Sequence, residues 1–289
     1  MEQDHNGVNP ELVFNMDETG IELFADRTDI QVFVRPNQVP ASGELQVGVP
    51  RTSRRCTLIA CIALNGDVMI PTIITKTQTI NSRLFDRGFS FKNLRLFCSK
   101  NSYINKQIFA RWLLEVFVPH VEEKRASLRA TIGDFDDKAV LIMDGCTAHK
   151  IEPFADLLAQ KRIVVRFLVP HTSHLTQPLD LGIFGTCKNI MRSRAQYVIS
   201  LHDLEDAVIE EINDENNGLP PSTERGMKIV TLILQILAAF HQATHRDGVV
   251  TAFEEAGICS RATGPDPYMV RREVFVDRAR ARAVVDQLG

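Results

Sequence analysis

The chain has 289 residues, of which 44% are hydrophobic and 24% are charged, and its formal net charge is −3 at pH 7. This balance is typical of a globular protein and argues against an isolated basic DNA-binding module, although a nuclease with acidic metal ligands remains compatible with it. No stretch has the roughly 20 apolar residues of a membrane span, and the polar first residues lack the apolar core of a signal peptide.

The first predicted strand ends on an acid. Residues 1–10 are predicted to be disordered, and Leu12–Asp17 is an apolar run typical of a strand. Glu18–Gly20 then predicts a turn, because Gly and short polar residues favour turn conformations. Residues 21–52 are predicted to be irregular, with one short strand over Gln31–Arg35.

A β-hairpin is the clearest local signal. Cys56–Leu64 and Val68–Thr75 are rich in strand-forming residues and flank Asn65-Gly66-Asp67, where Asn-Gly tolerates the positive φ of a tight turn. Pro71 predicts an edge position or a bulge in the second strand. Leu94–Cys98 is predicted to be another short strand.

The middle of the chain alternates helices and strands. Asn105–Lys124 has helical spacing of apolar residues, with Asn105 as a capping residue, Trp112 in the core and Pro119 as a kink or end. Lys138–Asp144 carries five apolar residues in a row, which suits a central strand buried on both faces. Further predicted elements are a helix over Pro153–Lys161, a strand over Ile163–Leu168 and a helix from about Gln177 to Tyr197.

This order of elements predicts an α/β fold with a mixed sheet flanked by helices. We expect one α/β domain over residues 11–200. Residues 201–289 are predicted to be a helical C-terminal extension, with helices over Leu204–Ile212 and Lys228–Ala243 separated by a Pro- and Gly-containing linker.

Three acids occupy positions suited to phosphodiester chemistry. Asp17 and Asp144 end predicted strands, and Asp180 lies in the first turn of a predicted helix. Carboxylates are ligands for hard divalent cations, and a pair of cations can activate an attacking oxygen and stabilise a leaving one. Each acid also has a purely structural interpretation: a turn residue at Asp17 and Asp144, and a helix-dipole partner at Asp180.

A resemblance separates these interpretations. The segments NMDETG, LIMDGCTAH and PHTSHLTQPLDLGIFGTCK contain Asp17, Asp144 and Asp180, and 35 residues lie between the last two acids. They resemble the catalytic blocks of DDE superfamily endonucleases, and in particular the pogo, Tigger and jerky group of mariner-like transposases. The resemblance is strong over about Val13–Asn189 and weak over Val250–Ser260.

The resemblance implies a ribonuclease H-like fold and a nuclear, metal-dependent DNA endonuclease and strand-transfer (transposase) domain. It implies that Asp17, Asp144 and Asp180 are the catalytic residues and bind two Mg²⁺ or Mn²⁺ ions. Partners would be DNA and a second copy of the chain on paired DNA ends. No nucleotide triphosphate is expected, because the chain has no P-loop.

Other residues are assigned supporting roles. His149 is expected to orient a metal ligand or touch phosphate, with capping of the following helix as the alternative. Glu18 should point away from Asp17, because neighbours on a strand face opposite ways. The predicted DNA contacts are basic: Arg51, Arg54, Arg55, Lys150 and Lys188.

Two features count against a standard transposase. Gly145 replaces the Asn that usually follows the second acid, and we expect weaker support around Asp144. Relatives also carry helix-turn-helix modules before the catalytic domain, whereas this sequence begins shortly before Asp17. The alternative hypothesis is therefore a domesticated, non-catalytic nuclear DNA- or chromatin-binding protein. A zinc site at Cys146, His149, His171 and His174 is a minor alternative, because the spacing matches no usual zinc pattern.

Overall fold

The structure is a computed structural model that describes residues 8–22, 55–76, 90, 92–170, 172–199, 224–258 and 275–276. The strands are β1 Val13–Glu22, β2 Arg55–Ala63, β3 Thr72–Thr75, β4 Arg95–Cys98, β5 Ala139–Met143, β6 Ile163–Leu168 and β7 Phe275–Val276. The helices are α1 Lys106–Trp112, α2 Val118–Ile132, α3 Ala155–Gln160, α4 Ser173–Thr176, α5 Phe184–Ile199, α6 Glu224–Ala243 and α7 Arg246–Glu255.

The seven described strands form one mixed sheet in the order β4-β3-β2-β1-β5-β6-β7. Strand β1 is antiparallel to β2 and parallel to β5, and β5 is parallel to β6. Strands β2 and β7 therefore run against the other five. The central order β3-β2-β1-β5-β6, with β2 alone reversed, is the ribonuclease H-like arrangement, so the predicted fold class is confirmed.

Each face of the sheet packs on its own helical layer. On one face, Val13 and Ile142 join a core cluster that includes Ile236 of α6 and Phe253 of α7. On the other face, the odd–even alternation of β1 turns Phe14 and Met16 toward α1 and α2. Trp112 lies in this second core at 1% exposure, as predicted. Because β5 is covered on both faces, its five residues are all buried.

Strand β1 continues well past Asp17, which corrects the predicted turn at Glu18–Gly20. Asp17 pairs with Ala60 and Gly20 pairs with Thr57, so the ladder with β2 extends to Glu22. The turn preference of the short polar residues is local and weak, and a nine-residue antiparallel ladder outweighs it. Asp17 is thus held in the middle of a paired strand, where its backbone position is fixed.

The helix predicted over Asn105–Lys124 is longer and interrupted. Asn105 caps α1 by accepting hydrogen bonds from the backbone of Gln107 and Ile108. A π-helical turn over Leu113–Phe117 then joins α1 to α2. Pro119 follows this turn, and the wider turn accommodates a residue that has no N–H to donate.

The second strand of the hairpin is shorter than predicted. It begins at Thr72, and before it Val68 forms only an isolated bridge with Ile62. Pro71 explains the shortening, because proline cannot donate to the ladder.

Helices α6 and α7 lie against the same face of the sheet as Val13 and Ile142. The helix predicted over Leu204–Ile212, the strand predicted over Gln31–Arg35 and the predicted boundary at residues 200–201 lie outside the described residues. In the part of the chain that the structure describes, no helix is both long and apolar enough to cross a membrane.

Candidate functional site

Asp17 and Asp144 lie side by side on adjacent parallel strands. The β1–β5 register pairs Asn15 with Ile142, and each Asp follows its paired residue by two positions. Asp17 is inside β1 at 8% exposure, whereas Asp144 comes directly after the last residue of β5. The strand pairing therefore brings together two acids that are 127 positions apart in the chain.

Asp180 comes from a different element, the turn before a helix, and its charge acts on Asp17. It lies in a π-helical turn, Leu179–Ile183, that begins after Pro178 and leads into α5. Leu179 and Ile183 are buried, while Asp180 itself is exposed. Such turns are rare and occur often at functional sites, because they re-aim one side chain without moving the rest of the helix.

The three acids act on one another electrostatically, and we call them the acidic cluster (Asp17, Asp144 and Asp180). Burial raises the pKa of Asp17 well above its ordinary value, and the negative charges of Glu18, Asp180 and Asp144 raise it further. Loss of hydration also raises the pKa of Asp180, with Lys188 opposing the shift and Asp144 and Glu18 adding to it. The cluster therefore concentrates negative charge that its surroundings compensate only in part.

Asp144 differs from the other two acids because a histidine is bonded directly to its carboxylate. Its Oδ1 lies 2.7 Å from Nδ1 of His149 and accepts a 3.1 Å hydrogen bond from the backbone N of Cys146. Burial works against ionisation, but these bonds lower the pKa of Asp144 below its ordinary value. The three acids therefore differ electrostatically: the pKa is raised at Asp17 and Asp180 and lowered at Asp144.

His149 is fully buried and bridges two carboxylates. Its Nε2 lies 3.1 Å from Oε2 of Glu18, and its ring contacts Phe109 at 5.1 Å between centroids. Burial alone would lower the pKa of His149, but the bonds to Asp144 and Glu18 raise it to about 11. Since both ring nitrogens donate to carboxylates, the geometry fits the role of orienting Asp144. A fully buried ring is poorly placed to touch phosphate.

Glu18 lies on the opposite face of β1 from Asp17, as strand alternation predicts. Its neighbours Phe14 and Met16 belong to the core on the α1 and α2 side. Its contact with His149 could not be predicted from local sequence patterns. Its carboxylate thus supports Asp144 through the His149 ring.

A mixed group of ligand atoms also forms around Asp144. Asp144, Cys146 and His149 each offer one ligand atom, and these atoms lie within 4.8 Å of one another. However, both nitrogens of His149 already bond to carboxylates. His171 lies outside the described residues, and so does the side chain of His174. The predicted four-ligand zinc site stays a prediction.

Two buried amides were missed by sequence reasoning. Asn15 and Gln177 are both at 0% exposure and are hydrogen-bonded to each other at 2.8 Å. Asn15 could have been noticed as a polar residue on the strand face that also carries Val13 and Ile21. Gln177 gives no comparable signal, because it precedes a helix that only the structure places against β1.

The predicted DNA contacts are only partly visible. Arg51 and Arg54 lie outside the described residues, and Arg55 is described only as the β2 partner of Glu22. Lys150 is exposed one residue after His149. Lys188 is half-buried, and its charge acts on Asp180. Of these five residues, Lys188 is thus the one with a described interaction with the acidic cluster, and the others stay predictions.

The donor set suits a hard cation. Carboxylate oxygens are the ligands that Mg²⁺ and Mn²⁺ prefer, and loss of hydration and neighbouring negative charge raise the pKa values of Asp17 and Asp180. Gly145 leaves open space beside Asp144, because a Cβ added there would meet no atom within 4 Å. The described contacts of Asp144 come from His149 and Cys146 instead.

Sequence comparisons find relatives among curated proteins. The human Jerky protein homolog is 31% identical over 182 residues, which cover 62% of this chain and 29% of that protein. The human Tigger transposable element-derived protein 7 is 30% identical over 121 residues, covering 40% of this chain and 20% of that protein. The chain thus spans less than a third of the length of these relatives.

Solved structures show a more distant likeness. The Mos1 mariner transposase catalytic domain is 11% identical with a TM-score of 0.36, covering 81% of this chain and 83% of that one. A second structure of that domain, with raltegravir and Mn, has a TM-score of 0.39 at 9% identity, covering 86% of this chain and 82% of that one.

The family comparison covers more than half of the sequence. The family described as DDE superfamily endonuclease matches residues 52–246, a range that contains Asp144 and Asp180 and begins after Asp17. The predicted relationship to the jerky and Tigger proteins is confirmed. The chain belongs to the DDE superfamily endonuclease family.

Proposed function

We propose that this chain is a metal-dependent DNA endonuclease and strand-transfer domain, with Asp17, Asp144 and Asp180 as its catalytic residues. The observation that supports the proposal is that Asp17 and Asp144 follow paired positions on adjacent strands, while Asp180 lies near enough for its charge and that of Asp17's neighbours to raise the pKa of Asp17. The charges of Asp17 and Asp180 therefore disfavour the metal-free folded protein, and bound cations would offset that cost.

The three carboxylates would hold two Mg²⁺ or Mn²⁺ ions. When bound, a pair of cations supplies charge neutralisation, activation of the attacking oxygen and stabilisation of the leaving oxygen of a phosphodiester. Asp17 and Asp144, which follow paired positions on neighbouring strands, would both hold the ions. Asp180, exposed on the helix start, would complete the shell of one ion.

The protein groups around the cluster have distinct tasks. His149 holds Oδ1 of Asp144 and is itself held by Glu18, so the two residues would orient this carboxylate for a cation. Lys188, whose charge acts on Asp180, and the exposed Lys150, one residue after His149, would contact phosphate oxygens of the substrate. Partial burial of the cluster limits the water that competes for the cations.

The substrate in this proposal is DNA, and the family relationship together with the acidic site supports it. With a net charge of −3, binding by this chain should be weak, independent of sequence and sensitive to salt, because phosphate contacts release counterions. Binding that does not change between low and high salt would contradict this driving force. A nuclear location and a homodimer on paired DNA ends complete the proposal.

Cleavage of supercoiled plasmid by the purified chain, with Mg²⁺ or Mn²⁺, tests the function. We expect nicked and linear products that disappear with EDTA, with Asp144→Asn and with Asp180→Asn. Because Asp180 is exposed, its replacement by Asn should leave the fold intact. A loss of cleavage in this variant would then reflect the site and not unfolding. Asp136→Asn is the matched control, because this exposed acid lies at the opposite end of the sheet.

The outcomes separate the two hypotheses. Cleavage that survives Asp180→Asn would remove the acidic cluster from the reaction. DNA binding without cleavage under any divalent cation would instead support a domesticated DNA-binding protein that has lost catalysis.

A further inference from the structure

The amide clamp, formed by Asn15 and Gln177, lies directly beneath the acidic cluster. Nδ2 of Asn15 donates to the carbonyl of Ile142 at 3.2 Å and to Oε1 of Gln177 at 2.8 Å. Oδ1 of Asn15 accepts from the backbone N of Leu179 at 3.3 Å. Nε2 of Gln177 donates to the carbonyl of Met16 at 3.3 Å.

Every partner of the clamp is close in sequence to one of the three acids. Met16 precedes Asp17 by one residue, Ile142 precedes Asp144 by two, and Leu179 precedes Asp180 by one. The clamp therefore joins the three segments that carry the cluster by bonds that are independent of the carboxylates themselves. The β1–β5 ladder alone joins only two of these segments.

The hydrogen bonds of the clamp are suited to aligning the three backbone segments and not only to holding them together. A buried amide costs free energy unless its donors and acceptors are paired, and apolar side chains of similar size would pack here without that cost. Hydrogen bonds are directional and hold backbone positions within a few tenths of an ångström, whereas apolar contacts permit sliding. Both N–H groups and the oxygen of Asn15 are used, so its position is fixed from three sides.

We propose that Asn15 and Gln177 are positioning residues that set the spacing of Asp17, Asp144 and Asp180, so that two divalent cations are held side by side. The inference rests on the proposed function, because it assigns the clamp a role in cation pairing. It predicts that loss of the clamp separates the two cation sites while the fold persists.

Electron paramagnetic resonance with Mn²⁺ tests the proposal without relying on cleavage. Two Mn²⁺ ions roughly 4 Å apart are magnetically coupled, and an isolated ion is not. We expect the coupled signal in the wild-type protein and an uncoupled signal in Gln177→Met, which keeps the length of the side chain and loses its hydrogen bonds. Affinity for the second Mn²⁺ should fall about tenfold or more, the scale seen when groups supporting a metal ligand are removed.

Arg125→Met is the matched control for stability. Arg125 is 3% exposed, and it clamps the other end of the sheet by donating to the carbonyls of Asp137 at 2.7 Å and Arg162 at 3.2 Å. Its loss also breaks a buried polar network, but far from the acidic cluster. We expect a lower melting temperature with an unchanged Mn²⁺ signal.

Each result supports or overturns the inference. If Gln177→Met binds a coupled pair of Mn²⁺ ions with wild-type affinity, the positioning role of the clamp is wrong but the two-cation function stands. An uncoupled Mn²⁺ signal in Arg125→Met leads to the same conclusion. A wild-type protein without any coupled pair overturns the two-cation function, and the clamp with it. If Gln177→Met does not fold, Gln177→Asn keeps the amide but is one methylene too short to reach both partners, and the same loss of coupling is expected.

Discussion

Acidic residues have different surroundings at the two ends of strands β5 and β6. At the end where these strands begin, Asp136 and Asp137 pair with Arg162, and Arg129 also bonds to Asp137. At the end where β5 finishes, the acidic cluster is buried in part, and its described cationic neighbours are His149 at Asp144 and Lys188 at Asp180. One end uses acids to stabilise the sheet, and the other keeps acidic charge available.

Both ends also contain a buried polar clamp, but of different charge. Arg125 joins α2 to the segments before β5 and β6, whereas the amide clamp joins the segments beneath the cluster. A guanidinium below the cluster would attract the carboxylates and compete with divalent cations for them. Neutral amides can align the same backbone segments without reducing the negative potential, which is what a cation site requires.

The largest expected effect on stability is at the arginine end. Arg125→Met should lower the free energy of unfolding by about 3 kcal/mol, because the carbonyls of Asp137 and Arg162 lose a buried donor. Urea unfolding in EDTA measures this, and the stabilisation by Mg²⁺ should equal that of the wild type. A variant that also loses the Mg²⁺ response would show that the two ends are coupled.

Asp144→Asn should have the next largest effect on stability. If the three acids only repelled one another, removing the Asp144 charge would leave stability unchanged or raise it. Asp144 instead accepts a bond from a buried, protonated His149. We expect a loss of about 1.5 kcal/mol, the scale of a hydrogen bond to a charged group. Chemical unfolding at pH 7 without metal measures it, and an increase in stability would mean that repulsion dominates at Asp144 as well.

Asp17→Asn should have the opposite sign. Its folded pKa is raised, so ionisation disfavours the folded state at pH values above the ordinary pKa of 3.8. The variant should match the wild type below that pH, and it should gain about 1 kcal/mol, a typical single-substitution scale, as the pH rises toward 7. Unfolding curves from pH 3.5 to 8 in EDTA measure this difference, and a pH-independent difference would contradict the assigned repulsion.

The smallest effect is at the exposed acid of the arginine end. Loss of hydration opposes the shift, but bonds from Lys138 and Arg162 lower the pKa of Asp136. Its contribution is therefore present above pH 3.8 and is lost as the pH falls through the lowered folded value. Because the pair is solvent-exposed, Asp136→Asn should cost about 0.5 kcal/mol at pH 7 and nothing at pH 2. If the loss of stability in Asp136→Asn instead increased as the pH fell, the stabilising role assigned to Asp136 would be wrong.

Local patterns predicted the buried strands well. Five consecutive apolar residues define β5, and the boundaries of β6 agree with the prediction at both ends. Asp17 was misplaced at a strand end, because the chain only continues as a strand there through its pairing with β2. Residue pairing across the sheet is not encoded in any local window of sequence.

The site was predictable only in part for the same reason. The resemblance singled out Asp17, Asp144 and Asp180, whereas single-residue reasoning left each with an ordinary structural interpretation. The contact of Glu18 with His149 and the amide clamp depend on the β1–β5 register and on the placement of α5. These supporting residues have polar side chains of common types, so composition does not distinguish them from surface residues.

The widened turn at Leu179–Ile183 makes this part of the chain sensitive to its length as well as to its residues. A π-helical turn holds one more residue than a regular turn, and deleting one residue would convert it to an α-helix. Residues on either side of the turn would keep their orientation, but residues within it would move to a neighbouring position, about 100° around the helix axis. Asp180 would leave the cluster even though no chemical group had been removed, so a substitution in this segment is tolerated more readily than a single-residue deletion.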